Sequence, residues 1–133
     1  MKQLLITIDL ESEVPIYQQV RNEIVEGIAS GKLQPGDALP SVRVLASDLG
    51  VNMHTVNKVY QILKQDGFIH IHRQKGVVIN PNGFPPVDDS FLESIRQQLR
   101  PIISEALCRG MDEEEFHKEV KTIFHSIQKG GIT

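Results

Sequence analysis

Cysteine is nearly absent: Cys108 stands alone among 133 residues, which excludes an internal disulfide framework and a Cys-rich zinc site. Its expected role is that of a small buried apolar residue. Long apolar runs are missing too, and no stretch approaches the roughly 18 residues a membrane helix needs. The start, Met1-Lys2-Gln3-Leu4-Leu5-Ile6-Thr7-Ile8-Asp9, has too short an apolar core for a secretory signal. The expectation is a soluble, cytoplasmic chain without a membrane partner. Positive charge is not in excess, with 14 Lys and Arg against 17 Asp and Glu and a net charge of −3. That balance excludes a generic polycation and leaves local patches open. No Ser-His-Asp grouping, paired carboxylates, phosphate-cradling glycine loop or metal-ligand spacing is present, so neither an enzyme, a cofactor nor a metal is expected. His70 and His72 share a strand face without a third ligand. Glu113-Glu114-Glu115 suits the start of a helix, where the macrodipole favours anions.

The charge that is present is unevenly placed. Residues 1–80 hold eight basic and eight acidic side chains, whereas residues 81–133 hold six and nine. Within 40–80 five cations face two acids, with His54, His70 and His72 added. An acidic protein with one locally basic region suits a chain with a single anion-facing surface.

The apolar spacing lays out the elements. Residues 4–9 alternate weakly, as a short strand or an extended arm. Pro15 stands where a helix begins, since its missing N–H would be unpaired there, and Ile16, Tyr17, Val20, Ile24 and Ile28 follow at helical spacing. Pro35-Gly36 signals a turn. Ser41 caps a second, short helix with Val42, Leu45, Ala46 and Leu49 on its apolar face. After Gly50-Val51-Asn52 a third helix runs to about Asp66, burying Val56, Val59, Tyr60 and Leu63. A short helix, a three-residue turn with glycine and a longer helix make the helix-turn-helix pattern. Alternation then takes over: Ile69 and Ile71 are apolar while His70 and His72 point the other way, Arg73-Gln74-Lys75-Gly76 forms a tip, and Val77-Val78-Ile79 returns as a second strand. A hairpin after a helix-turn-helix makes a winged helix. Residues 81–87, rich in Pro and Gly, read as a linker. Two helices follow over 88–133, the first with Pro101 inside it, which should kink or split it near Arg100. The expected class is mainly α with a small β-hairpin (α+β). A winged helix-turn-helix over 1–80 is followed by a two-helix tail.

Several segments together resemble the GntR family of bacterial transcription regulators, and within it the small YtrA-type subfamily. They are Pro15-Ile16-Tyr17-Gln18-Gln19-Val20, Gly31-Lys32-Leu33-Gln34-Pro35-Gly36-Asp37 and Leu39-Pro40-Ser41-Val42-Arg43-Val44-Leu45-Ala46. They continue through Leu49-Gly50-Val51-Asn52, Thr55-Val56, Tyr60, Leu63, Asp66-Gly67-Phe68-Ile69 and Lys75-Gly76. The resemblance implies sequence-specific binding of double-stranded DNA by a homodimer on a palindromic operator, usually as a repressor, often of genes for transporters. A helix starting at Asn52 would direct Met53, His54, Thr55 and Asn57 into the major groove. His54 and Asn57 can hydrogen-bond base edges, and Met53 offers apolar contact. Arg43 matches a family arginine that contacts DNA, and Ser41 with the helix N-terminus behind it can meet a phosphate. Lys58 is a phosphate candidate, while Arg73 and Lys75 on the wing suit the minor groove. Met53 and Asn57 stand where many members carry a basic residue, which shifts specificity onto Arg43, Asn57 and the wing.

The tail argues for a second copy on physical grounds. Two amphipathic helices of about 22 and 18 residues, roughly 33 and 27 Å long, have too little surface between them to bury their apolar side chains. Those side chains are Phe91, Leu92, Ile95, Leu99, Ile102, Phe116, Val120, Ile123, Phe124 and Ile127. Whether a small-molecule effector exists stays open; the tail has little volume for a pocket, so one would sit at a dimer or domain interface. A winged helix used for protein–protein assembly is the alternative to DNA binding.

Overall fold

The computed structural model describes residues 6–130. They fall into two units that divide between residues 85 and 86. In the first unit, Pro15 precedes α1 (Ile16–Ala29) without a side-chain cap. Val20 and Ile24, one turn apart, are wholly buried. Of the weakly alternating segment 4–9, residues 4 and 5 lie outside the described residues. Residues 6–9 form no strand, and Ile6 and Ile8 rest half-buried on the core. The Gln19 side chain fastens the chain behind them. It accepts from Asp9 N at 2.8 Å and donates to Asp9 O at 2.9 Å and Val14 O at 2.8 Å.

The expected Pro35-Gly36 turn forms, with Asp37 N donating to Gln34 O at 2.9 Å. Gly36 takes a φ of 87° that L side chains resist. α2 (Val42–Leu49) starts where Ser41 Oγ accepts from Val44 N at 3.2 Å. It stops at Gly50 in the left-handed region, φ 68°. α3 (Met53–Gln65) starts where Asn52 Oδ1 accepts from His54 N at 2.7 Å. Its Val56, Val59, Tyr60 and Leu63 are buried with Leu45 and Ala46 of α2, and with Leu33 and Leu39 from the loop after α1. The Tyr60 hydroxyl donates to Pro40 O at 2.7 Å, tying α3 to the entry of α2. Burial pushes that phenol well above its usual range, so it remains a donor at any physiological pH.

β1 (Ile69–His72) and β2 (Gly76–Ile79) pair antiparallel, with Ile69 opposite Ile79 and His72 opposite Gly76. Residues 36–39 hydrogen-bond along the free side of β2. Gly36 N donates to Ile79 O, Ile79 N to Asp37 O and Leu39 N to Val77 O, each at 2.8 Å. The loop after α1 therefore guards one edge of the wing, a role the sequence shows only as a turn. Ile71 does not face inward as its alternation with Ile69 suggests. It is 51% exposed, because the hairpin runs past the end of the core before it turns. Residues 80–84 stay with this unit: Asn80 Nδ2 donates to Gly67 O at 3.0 Å, and the Phe84 and Phe68 rings lie 5.8 Å apart.

The second unit is a helix pair. α4 (Asp89–Cys108) is capped by Asp88, and α5 (Glu113–Gln128) by a reciprocal capping box between Asp112 and Glu115. α4 passes through Pro101 unsplit: proline deletes one N–H from the ladder, and the rest of the 20-residue helix holds. Neither helix has a buried residue, and Cys108 is exposed rather than buried, because no described residue of this unit covers its face of α4.

Replacing Tyr60 with Phe keeps the ring but leaves the Pro40 carbonyl without its donor. Urea unfolding should show a loss of ~1 kcal/mol with unchanged helix content. No shift of the midpoint would remove this bond from the account of how α2 is placed.

Candidate nucleic-acid interface

The inner face of α3 consumes Val56, Val59, Tyr60 and Leu63, so the helical period dictates what is left outside. Met53, His54, Asn57 and Lys58 are exposed, and Thr55 is half-buried at the margin. Gln61 is exposed one turn beyond Asn57. Sequence reasoning passed over it, although its spacing of four from Asn57 and three from Lys58 puts it on the same stripe. Asn52, at the head of the stripe, spends Oδ1 on the His54 amide and keeps its side-chain N–H groups for an outside acceptor. Ser41 likewise spends a lone pair on Val44 N and keeps its O–H. Arg43 projects from the first turn of α2, fully outside the core. Val44 beside it is 48% exposed, an apolar surface residue that its position in an amphipathic helix did not reveal.

The wing tip is organised by His72. Its Nδ1 accepts from Gln74 N at 3.1 Å and Lys75 N at 3.0 Å. A nitrogen that accepts carries no proton, so the ring presents its other nitrogen as the N–H. Among the described residues no group of three or more His, Cys, Asp or Glu side chains is placed to hold a metal ion. Arg73 and Lys75 are both exposed at this tip.

Over residues 40–80 the cations outnumber the acids five to two. The two carboxylates of residues 40–80 are Asp48 and Asp66, and Asp66 pairs with Arg21 of α1 at 3.5 Å. Lys58 Nζ sits 3.9 Å from the centroid of the Tyr17 ring. Donors, acceptors and cations on an exposed helix, flanked by a capped helix start and a cationic hairpin, suit a polyanion carrying base edges.

In the second unit, the side chains expected to pair with another copy lie open. Phe91, Ile102, Ile123 and Phe124 are each more than half exposed, and Leu92, Leu99 and Val120 are exposed to a lesser degree. Ile95, Phe116 and Ile127 are half-buried. A groove of about 180 Å³ opens beside Ile103, Leu107, Met111 and Phe116.

The fold and this face define a winged-helix, DNA-binding regulator of transcription. The model of the bacterial regulatory proteins, gntR family, matches residues 16–79. The chain is also 35% identical over 127 residues to the HTH-type transcriptional repressor YtrA of Bacillus subtilis, covering 96% of this chain and 97% of that one. It belongs to the GntR family, whose members regulate transcription and are not enzymes. A transcriptional antiterminator from Listeria monocytogenes EGD-e has a similar crystal structure, with a TM-score of 0.86 and 32% identity. That similarity covers 97% of this chain and 96% of that one. The DNA-binding domain of AraR, in complex with operator ORX1, is similar at a TM-score of 0.50 and 26% identity, covering 59% of this chain and 99% of that chain.

His72 can be tested without DNA. Asn at position 72 retains an acceptor and Ala does not, so His72→Ala should speed amide exchange at Gln74 and Lys75 roughly five-fold, equivalent to ~1 kcal/mol. His72→Asn should exchange nearly as slowly as the parent. Equal exchange in all three proteins would mean that the ring does not hold the tip.

Proposed function

We propose that the protein is a cytoplasmic repressor that acts as a homodimer on a palindromic operator, in control of an operon for a transporter. The observation that carries the DNA reading is the outer face of α3, polar and open between Arg43 and the wing. His54 and Asn57 read base edges in the major groove, with Met53 and Thr55 beside them. Asn52, Ser41 and Lys58 meet phosphates, Arg43 reaches a base or phosphate from α2, and Arg73 and Lys75 enter the adjacent minor groove. The operator complex of AraR, a protein with this kind of domain, supports the placement. The full-length similarity to a named repressor supports the direction of control. On this reading residues 1–80 are the DNA-binding domain, 81–87 a linker whose Phe84 packs back on that domain, and 88–133 the dimerising tail.

The homodimer rests on the second unit, whose helices bury none of their own side chains. An amphipathic pair that leaves Phe91, Ile102, Ile123 and Phe124 in water has a strong drive to associate. Two copies related by a two-fold axis would set two α3 helices about one duplex turn, or a multiple of it, apart. A small-molecule effector, where one acts, would bind at such an interface.

Selection from a random duplex library, followed by anisotropy titration, tests the reading. The selected sequence should be an inverted repeat, and Arg43→Ala should weaken binding about ten-fold or more, as expected for an arginine on a base or phosphate. Failure to enrich any duplex sequence at low salt would sink the regulator and favour an assembly module.

The tail has its own test. Ile123→Glu with Phe124→Glu should turn a sedimenting dimer into a monomer and cut operator affinity about 100-fold or more, since half-site cooperation is lost. A dimer that persists, or undiminished binding by a monomer, would locate the interface elsewhere.

A further inference from the structure

Two residues of the first unit sit together in a way the DNA reading leaves unexplained. Lys58 leaves the outer face of α3 and places its ammonium 3.9 Å from the centroid of the Tyr17 ring, at the start of α1. A cation over a tyrosine face is held by the ring quadrupole. No carboxylate among the described residues pairs with Lys58. The contrast with Arg21 is instructive. Arg21 stands one turn after Tyr17 on α1 and is paired with Asp66, so its charge is partly cancelled within the protein. Lys58 is steadied without being cancelled.

That difference matters for meeting a phosphate. A carboxylate partner would have to be displaced before the ammonium met DNA, and its charge would repel the backbone. A ring face holds a long, flexible side chain in one region and leaves the full positive charge available. Lysine loses much rotamer freedom when it is immobilised, and a ring that restricts it beforehand removes part of that cost from the binding step. The first turn of α1, where Tyr17 stands, carries no acidic residue.

We infer that Tyr17 is a positioning residue for DNA binding: its ring face holds the Lys58 ammonium in place to meet a phosphate of the duplex. The inference rests on the reading of Lys58 as a phosphate contact. Tyr17 acts through Lys58, so its effect must vanish when Lys58 is gone.

The test is a double-mutant cycle on the full-length protein, with the duplex enriched by selection as the probe. Lys58→Ala should weaken binding and flatten the dependence of log affinity on log salt by about one unit per protomer. Tyr17→Leu, which keeps apolar bulk but loses the ring face, should weaken binding about two- to five-fold. Tyr17→Phe should bind like the parent. In the Lys58→Ala background, Tyr17→Leu should cost nothing further. NMR gives a DNA-independent readout: the Lys58 side-chain ε protons should be shifted upfield by the ring in the parent and in Tyr17→Phe, and not in Tyr17→Leu. Should Tyr17→Leu fail to fold, Tyr17→Met takes its place in the cycle.

An unchanged affinity in Lys58→Ala would overturn the phosphate role of Lys58 and this inference with it. A loss in Lys58→Ala with no loss in Tyr17→Leu would overturn the positioning role alone. Equal losses in Tyr17→Phe and Tyr17→Leu would assign the effect to the hydroxyl and overturn it as well. So would a Tyr17→Leu loss that persists undiminished without Lys58.

Discussion

The first unit depends on the burial of one side of α3. Val56, Val59, Tyr60 and Leu63 are at most 4% exposed, and α1, α2 and β1 all pack against that helix. A fully buried aliphatic side chain contributes on the order of 1.5–3 kcal/mol, so this stripe is both the centre of the core and the part that cannot rotate. Because the period is 3.6 residues, fixing the inner stripe fixes the outer one. His54, Asn57, Lys58 and Gln61 face outward as the complement of what the core requires.

Burial sets the rotation of α3, and polar bonds set its position along the axis and that of its neighbour. Asn52 and Ser41 each supply an oxygen to a free backbone N–H at a helix start, which pins where α2 and α3 begin. The Tyr60 hydroxyl reaches twenty residues back to Pro40 and fixes the entry to α2, from which Arg43 projects. Residues 36–39 do the same for the wing by bonding along β2. Apart from Asn57, each residue read as a DNA contact is at most two positions from one of these bonds or from those of His72. The cap residues each have two duties, an acceptor spent on the helix start and a donor left over, carried by different atoms in Asn52 and by the one hydroxyl in Ser41.

These layers differ in how legible they are in the sequence. Helix positions and caps were legible because apolar period, Ser, Asn, Asp, Pro and Gly act over four residues or fewer. The turn at Pro35-Gly36 was legible too, but its pairing with β2 was not, since an edge contact between residues some forty apart leaves no local period. Ile71 misled for a related reason: alternation reports which face a residue is on, and not whether the core extends that far. The ring of His72 looked like a free strand histidine because its acceptors' partners are backbone amides, which every sequence has. Tyr17 and Lys58 lie on different helices, and only packing of α1 on α3 brings them together. Gln61 was legible by its spacing from Asn57 and Lys58, but it lies beyond the N-terminal turns of α3 that point into a groove.

The chain's net charge of −3 is compatible with a DNA-binding unit because the acidic excess belongs to residues 81–133, while residues 1–80 hold equal numbers of acids and bases. Asp66 is occupied by Arg21, Glu113, Glu114 and Glu115 serve the start of α5, and Lys58 is held by a ring instead of a carboxylate. On the proposed reading, what remains for phosphates is a handful of cations in each copy. Non-specific affinity grows with the number of phosphates neutralised, so on the proposed reading a chain with so few contacts should bind random DNA weakly. That weakness is useful to a regulator, because discrimination depends on the gap between specific and non-specific binding. It also puts the burden of affinity on doubling the contacts. The same chain that is sparing with charge on its DNA-binding unit carries an unburied apolar face on its tail, and on the proposed reading the second feature compensates for the first.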